Sequence, residues 1–322
     1  WTISPDGTTY SFHIRPNVAF SDGSILKASD AEYSFKRTMV RDFTGGPAWM
    51  LWEPIFGNFS ADMANPVRCG QKIDAAITSN DVAGTLTIQF ATGVPYPPFQ
   101  AILSQTWASI MSKAWAILQG DWPGTGLNDG SWVAYPDPAT SPLDGPPSKM
   151  MGTGPYKLDY FISTGWSVIK HDNYWGGWGN PRRGYASRGY LTRFTELFIS
   201  DYPPRHEGFF GSNPIYDSIY VPRQYIASVW QQPGIRCIYP LSAIAVDAMF
   251  FNYDTGPNSP YIGNGAWGEL GIIPTFFSDV HVRKAIAYSF NWTKYIASAY
   301  MGEAKQNVIP VPDSFKFHDL SP

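Results

Sequence analysis

From Thr9 to Arg15 apolar and polar side chains alternate, with Tyr10, Phe12 and Ile14 on one face and Ser11, His13 and Arg15 on the other. A period of two is the mark of a half-buried strand. Ser4-Pro5-Asp6-Gly7 ahead of it is turn chemistry, because Pro presets φ and Gly accepts a positive φ. The opening therefore reads as a hairpin, with another turn at Asp22-Gly23. Ser29-Asp30-Ala31-Glu32 matches a capping box, in which hydroxyl and carboxylate satisfy free amides of a first helical turn. The spacing beyond it predicts a helix from Asp30 to Val40 that buries Ala31, Phe35 and Met39. Leu86 to Phe90 alternates again and predicts a second strand. Pro95-Tyr96-Pro97-Pro98-Phe99 then interrupts the chain before a helix expected from Gln100 to Leu118.

Between Gly120 and Pro147 the chain is rich in Gly, Pro, Asp and Ser, which predicts a long surface excursion or a domain junction. A strand pair is expected at Tyr156–Phe161 and Trp166–Lys170, followed by the aromatic and glycine cluster from Tyr174 to Gly179. Leu191–Ser200 and Ala248–Phe251 are further strand candidates. Asp279 suits the N-cap of a last helix, with Val282, Ala285, Ile286 and Ser289 at helical spacing. Strands and helices mixed through the chain predict an α/β protein, and no internal repeat is evident.

Composition changes this picture in two ways. The 322 residues are 44% hydrophobic, enough for a sizeable core and more than one domain. Aromatics reach 16% while charged residues make up 15%, against the ~25% charge usual in soluble domains. Rings that pack loops or wall a ligand suit that balance. The net charge is −3 with scattered basic residues, so no nucleic-acid surface is expected. No run is apolar enough to predict a membrane-spanning helix.

Catalytic signatures are missing. The sequence contains no GxSxG elbow, HExxH pair or GxxxxGK loop, and His206-Glu207 lacks a second histidine. The histidines at 13, 171, 206, 281 and 318 are dispersed, which predicts no metal site. A polysaccharide hydrolase would need a carboxylate pair, and nothing selects one among the 26 acidic residues. The expectation is a protein without catalytic residues or cofactor. Cys69 and Cys237 are too far apart for a CxxC pair, and either one disulfide or two thiols is open. Asn58-Phe59-Ser60 and Asn291-Trp292-Thr293 are glycosylation sequons that matter only outside the cell.

Taken in order, several segments resemble the family 5 extracellular solute-binding proteins, receptors of peptide and nickel-type ABC importers. Trp1 to Arg15 looks like the family's signature strand and continues through Val18 to Gly23 and Ala28 to Phe35. Gly152-Thr153-Gly154-Pro155-Tyr156-Lys157-Leu158 and Asn173-Tyr174-Trp175-Gly176-Gly177 are similar to a second block. Phe277-Ser278-Asp279-Val280-His281-Val282-Arg283-Lys284-Ala285-Ile286-Ala287 is similar to a third, ahead of Gly302-Glu303-Ala304 and Ile309-Pro310. The stretch from Gly120 to Pro147 departs from the family pattern, and Tyr202-Pro203-Pro204-Arg205 stands where relatives carry a helix entry. Gly211–Asp217 follows the family's turn only loosely.

The resemblance implies a two-lobed periplasmic-binding-protein-like α/β fold of type II with an extra subdomain on its first lobe. Members are longer, so the fold is expected to be incomplete at both ends. The implied divisions are residues 1–148 for the extra subdomain, 149–241 for the core of lobe I, and 242–322 for the beginning of lobe II. The implied function is extracytoplasmic capture of a small oligomeric ligand, delivered to the membrane subunits of an ABC transporter from an anchored receptor. Peptide leads, as the commoner ligand of the family, while the tryptophan surplus keeps oligosaccharide open. A cell-surface structural role is a third reading. By position in the family pattern, Trp49, Trp52, Tyr220, Phe251 and Asn252 are expected at the pocket or hinge. The partner of a peptide's amino terminus is expected beyond this chain.

Overall fold

The computed structural model describes residues 1–42, 45–136, 141–143, 150–178, 191–230, 232–239 and 246–306. The chain divides into two compact units, Trp1–Ile199 and Ser200–Pro322.

In the first unit, β1 (Thr2–Ile3) and β2 (Thr9–His13) form the expected hairpin. The amide of Gly7 donates to the Ser4 carbonyl at 2.8 Å, and Gly7 sits at φ 72°, where a Cβ would also press on Pro95. β3 (Ile77–Asn80) and β4 (Thr85–Gln89) complete an antiparallel sheet of order β1-β2-β4-β3. Its register sets Tyr10 opposite Ile88 and Phe12 opposite Leu86, so their apolar side chains share one face. Against that sheet pack α1 (Ala28–Arg41) and α3 (Pro66–Ala76), while α2 (Trp49–Phe56) packs against α1. Met39, Val40, Leu51, Trp52, Ile55, Ile73, Ile77 and Ile88 are buried here. Phe90 and Phe99 meet edge to face at 4.9 Å beneath Tyr10.

Ala31, Phe35 and Met39 are buried as expected, but the start of α1 differs from the capping box. Asp30 is the capping carboxylate, accepting from the Lys27 amide at 2.8 Å. Ser29 is drawn off to Asp81, and Glu32 to Lys36 and Ser79. Tertiary partners outcompeted the local motif.

The single helix expected from Gln100 to Leu118 is broken into α4 (Phe99–Leu103), a 3₁₀ turn at Thr106–Ala108 and α5 (Lys113–Leu118). Serines account for the breaks. Ser104 and Ser109 hydroxyls donate to carbonyls of the preceding turn, and Ser112 caps α5 by accepting from the Trp115 amide.

The described part of the Gly120–Pro147 stretch is no surface excursion. Trp122 and Trp132 are 1% and 0% exposed and join the main core. Asp121, with no exposed side-chain surface, accepts from Arg37 Nε at 2.7 Å and Arg41 Nε at 2.9 Å. The polar composition misled because glycine let backbone enter the core: a Cβ on Gly70 would stand 2.0 Å from the Leu127 carbonyl.

β5 (Tyr156–Ile162), β6 (Gly165–Lys170) and β7 (Arg193–Leu197) form a second antiparallel sheet in that order. Trp175 Nε1 donates to the Thr153 carbonyl at 2.8 Å, and the Arg15 guanidinium lies 5.2 Å from the Trp175 ring centroid. The end of the opening strand and both parts of the second sequence block thus converge. Gly179 and the pair Ile309-Pro310 lie outside the described residues.

In the second unit, α6 (Tyr202–Phe210) begins through Pro203 and Pro204, whose missing N–H groups cost nothing in a first turn. Helix entry is therefore retained despite the departure in sequence. α7 (Ile226–Val229), β8 (Gly263–Gly268), α8 (Val280–Ser289) and α9 (Trp292–Ala299) follow. Asp279 caps α8 as expected, accepting from the His281 amide at 2.8 Å. Ala248–Phe251 is irregular rather than a strand. Met249 is 67% and Phe250 90% exposed, and no strand pairs with this segment among the described residues.

Candidate functional site

α2 presents two faces. Leu51, Trp52, Pro54 and Ile55 point into the core with half-buried Phe56 packed against it, while Trp49 is exposed and Glu53, one turn on, is half-buried. Trp49 is 42% exposed. Trp52 is 1% exposed, stacks at a tilt on Phe56 at 5.4 Å, and its indole N–H has no hydrogen-bond partner among the described residues. Of these two expected residues, Trp49 faces solvent and Trp52 holds the helix down. Beside the outward face, the Tyr96 hydroxyl donates to Glu53 Oε2 at 3.4 Å. Burial, then the Glu53 carboxylate, pushes the Tyr96 hydroxyl above its ordinary pKa.

In the second unit, Tyr220 is 72% exposed with the Arg205 guanidinium 5.6 Å from its ring centroid. Close in sequence, Arg223 pairs with Glu303 and stands 5.0 Å from the Tyr300 ring. Tyr239 donates to Glu303 at 2.5 Å, and Tyr300 donates to Asp247. Hydrogen bonds from Tyr239 and then Arg223 hold the Glu303 carboxyl below the usual carboxylate range. The bond to Asp247 and a neighbouring Tyr295 push the Tyr300 hydroxyl up to about 12.

Phe251 is half-buried with its ring 5.1 Å from Phe277, and Asn252 beside it is exposed. Phe277 in turn meets Phe276 at 5.0 Å, which meets Trp267 at 5.2 Å. Arg283 lies over Tyr253 at 4.4 Å and donates to the carbonyls of Phe277 and Ser278. The chain around Phe251-Asn252 is thereby pinned to the third sequence block.

Glu53, Tyr96 and the Arg223–Glu303–Tyr239 knot were not singled out from the sequence. The i, i+4 spacing of Trp49 and Glu53 was the available signal. Asn58 is exposed and its Nδ2 donates to the Ser60 carbonyl, whereas Asn291 caps α9 by accepting from the Lys294 amide at 2.9 Å. Cys69, buried, and Cys237, half-buried, are both free thiols. Among the described residues no cluster of metal-ligating side chains forms, and no helix is long and apolar enough to cross a membrane.

A family model described as Bacterial extracellular solute-binding proteins, family 5 Middle matches residues 1–322. The dipeptide-binding protein of Escherichia coli (strain K12) is 28% identical over 194 residues, which cover 55% of this chain and 29% of that protein. Dipeptide-binding protein DppE of Bacillus subtilis (strain 168) is 25% identical, covering 54% and 27% respectively. The chain thus spans less than a third of each of these relatives in the matched region. Among solved structures, that of the pheromone receptor PrgZ and its mode of peptide binding matches with a TM-score of 0.57 and 16% identity, covering 92% of this chain and 47% of that one. A periplasmic oligopeptide-binding protein (OppAIV) of Borrelia burgdorferi matches at 0.50 and 18%, covering 72% and 39%. At such identities these structures establish the likeness of fold.

Proposed function

We propose, from the premise that the chain belongs to the bacterial extracellular solute-binding proteins of family 5, that it is the ligand-gathering part of an oligopeptide receptor. The match of the family model to residues 1–322 carries this reading. The curated relatives named for dipeptide binding support the ligand class. In this reading the receptor works outside the cytoplasm, held at the membrane surface, and passes its ligand unaltered to the membrane subunits of an ABC importer. Ligand is enclosed between two lobes that close by hinge motion, which strips water from most of its surface. The divisions at residues 148 and 241 belong to the same proposal.

The side chains suit capture. Trp49 and Tyr220 are large rings left to solvent, where ring contact with a ligand replaces water. Trp52 anchors the helix that carries Trp49, and Phe251-Asn252 lies where the chain passes toward the second lobe. Backbone and water contacts to a peptide main chain would give breadth, because they recognise what all peptides share.

The test is a melting-temperature panel on the intact protein with dipeptides to nonapeptides and with oligosaccharides. A ligand at 100 times its Kd stabilises by about 2.7 kcal/mol, which raises Tm by several degrees. Upward shifts with peptides are expected. Shifts with oligosaccharides alone would transfer the receptor to sugars, and no shift with either would overturn the assignment.

A further inference from the structure

We infer that the Trp49–Glu53 face of α2 is a subsite for a cationic side chain, selecting lysine- or arginine-bearing peptides. This rests on the proposal that Trp49 faces ligand and adds the chemistry of what it meets.

Trp49 and Glu53 stand at i and i+4, so the carboxylate lies one turn along the helix from the exposed indole, while half-buried Phe56 beyond it packs on the core beside Trp52. Glu53 is half-buried, and among the described residues its carboxylate accepts one hydrogen bond, from the Tyr96 hydroxyl at 3.4 Å. Among the described residues no lysine or arginine pairs with it. The basic side chains of the adjoining helix are committed elsewhere: Lys36 to Glu32 and Asp74, Arg37 and Arg41 to Asp121.

A long basic side chain matches this arrangement at both ends. Its methylene stem would lie along an indole face, and its head would take the open carboxylate oxygens of Glu53. Tyr96 contributes by holding one oxygen, which orients the other outward. A neutral side chain of the same length would gain the stem contact alone. An acidic one would be repelled.

The experiment measures Kd by calorimetry for tripeptides carrying lysine, arginine or norleucine at each position in turn, on the intact protein. Expected is one position at which lysine and arginine bind about tenfold tighter than norleucine, a gap near 1.4 kcal/mol. Glu53→Gln should erase that gap by bringing lysine and arginine down to the affinity of norleucine. Trp49→Ala should weaken all three at the same position, and Trp49→Phe should restore most of the loss. Equal affinities in the unaltered protein, or a preference that survives Glu53→Gln, would overturn the subsite while leaving peptide reception intact. Binding of none of the peptides would overturn the receptor reading instead.

Discussion

α1 in the first unit and α8 in the second are both amphipathic helices with an acidic residue near the start, yet they have different fates. α1 buries residues on nearly every turn, among them Tyr33, Phe35, Met39 and Val40. α8 buries none, and Val282 and Ile286 on its apolar stripe are only half-covered. The two helices teach that periodicity sets where a helix forms but not how much water it sheds. Coverage is supplied by other elements, here the sheet β1-β2-β4-β3 and the helices around it for α1.

The sharpest way to break this comparison is to cut matched apolar side chains. Trp52→Ala should cost about 4 kcal/mol, since a full indole leaves a close-packed site. Ile286→Ala should cost less than about 1 kcal/mol, because much of that side chain already meets water. Denaturant melts that gave equal losses would show α8 to be covered as fully as the core. Next in size is Asp121→Asn, which keeps the shape but strands the buried guanidinium groups of Arg37 and Arg41. A loss of about 3 kcal/mol is expected, and a neutral outcome would mean the arginines find water. Gly70→Ala should follow at about 2 kcal/mol, because its Cβ would press into the Leu127 carbonyl and the Trp132 indole.

The smallest effect concerns the second unit. Glu303 has a folded pKa below its ordinary value of 4.5, so its bonds to Tyr239 and Arg223 contribute fully above that value. They are lost as pH falls below 4.5 through the folded pKa. Protection of the amides near Tyr239, taken relative to the intrinsic exchange rate at each pH, should therefore fall below pH 4.5, and Glu303→Gln should flatten that dependence. Unchanged protection in the parent protein would remove Glu303 from the account.

How far the site could be read ahead of the structure varies from residue to residue. Trp49 and Trp52 look alike on paper, three positions apart after the same Gly-Gly-Pro turn. One is exposed and the other sealed although i and i+3 are neighbours on one helix surface, about 60° apart, so only the packing of α2 on α1 says where the edge of the buried face falls. Tyr220 and Asn252 were marked by position in a family pattern, whereas the Arg205–Tyr220 and Arg223–Glu303 contacts join residues well separated along the chain and leave no local trace. Glu53 lay in plain sight one turn from Trp49, but a carboxylate on a helix is ordinarily just solvated.

Alternation and turn chemistry alone placed β2, β4, β5, β6 and the Ser4–Gly7 turn, since these depend on side-chain period and backbone sterics within a few residues. The Asp279 cap is local in the same sense. Long-range contact decided that Ser29 is drawn to Asp81 while Asp30 caps α1, and that a glycine-rich stretch delivers Trp122 and Trp132 into the core. The serines that break Gln100–Leu118 instead act locally, through bonds three residues away that the apolar period does not register. The Ser29 and tryptophan outcomes turn on partners far along the chain, whose free energy outweighs the few tenths to one kcal/mol at stake in a local preference.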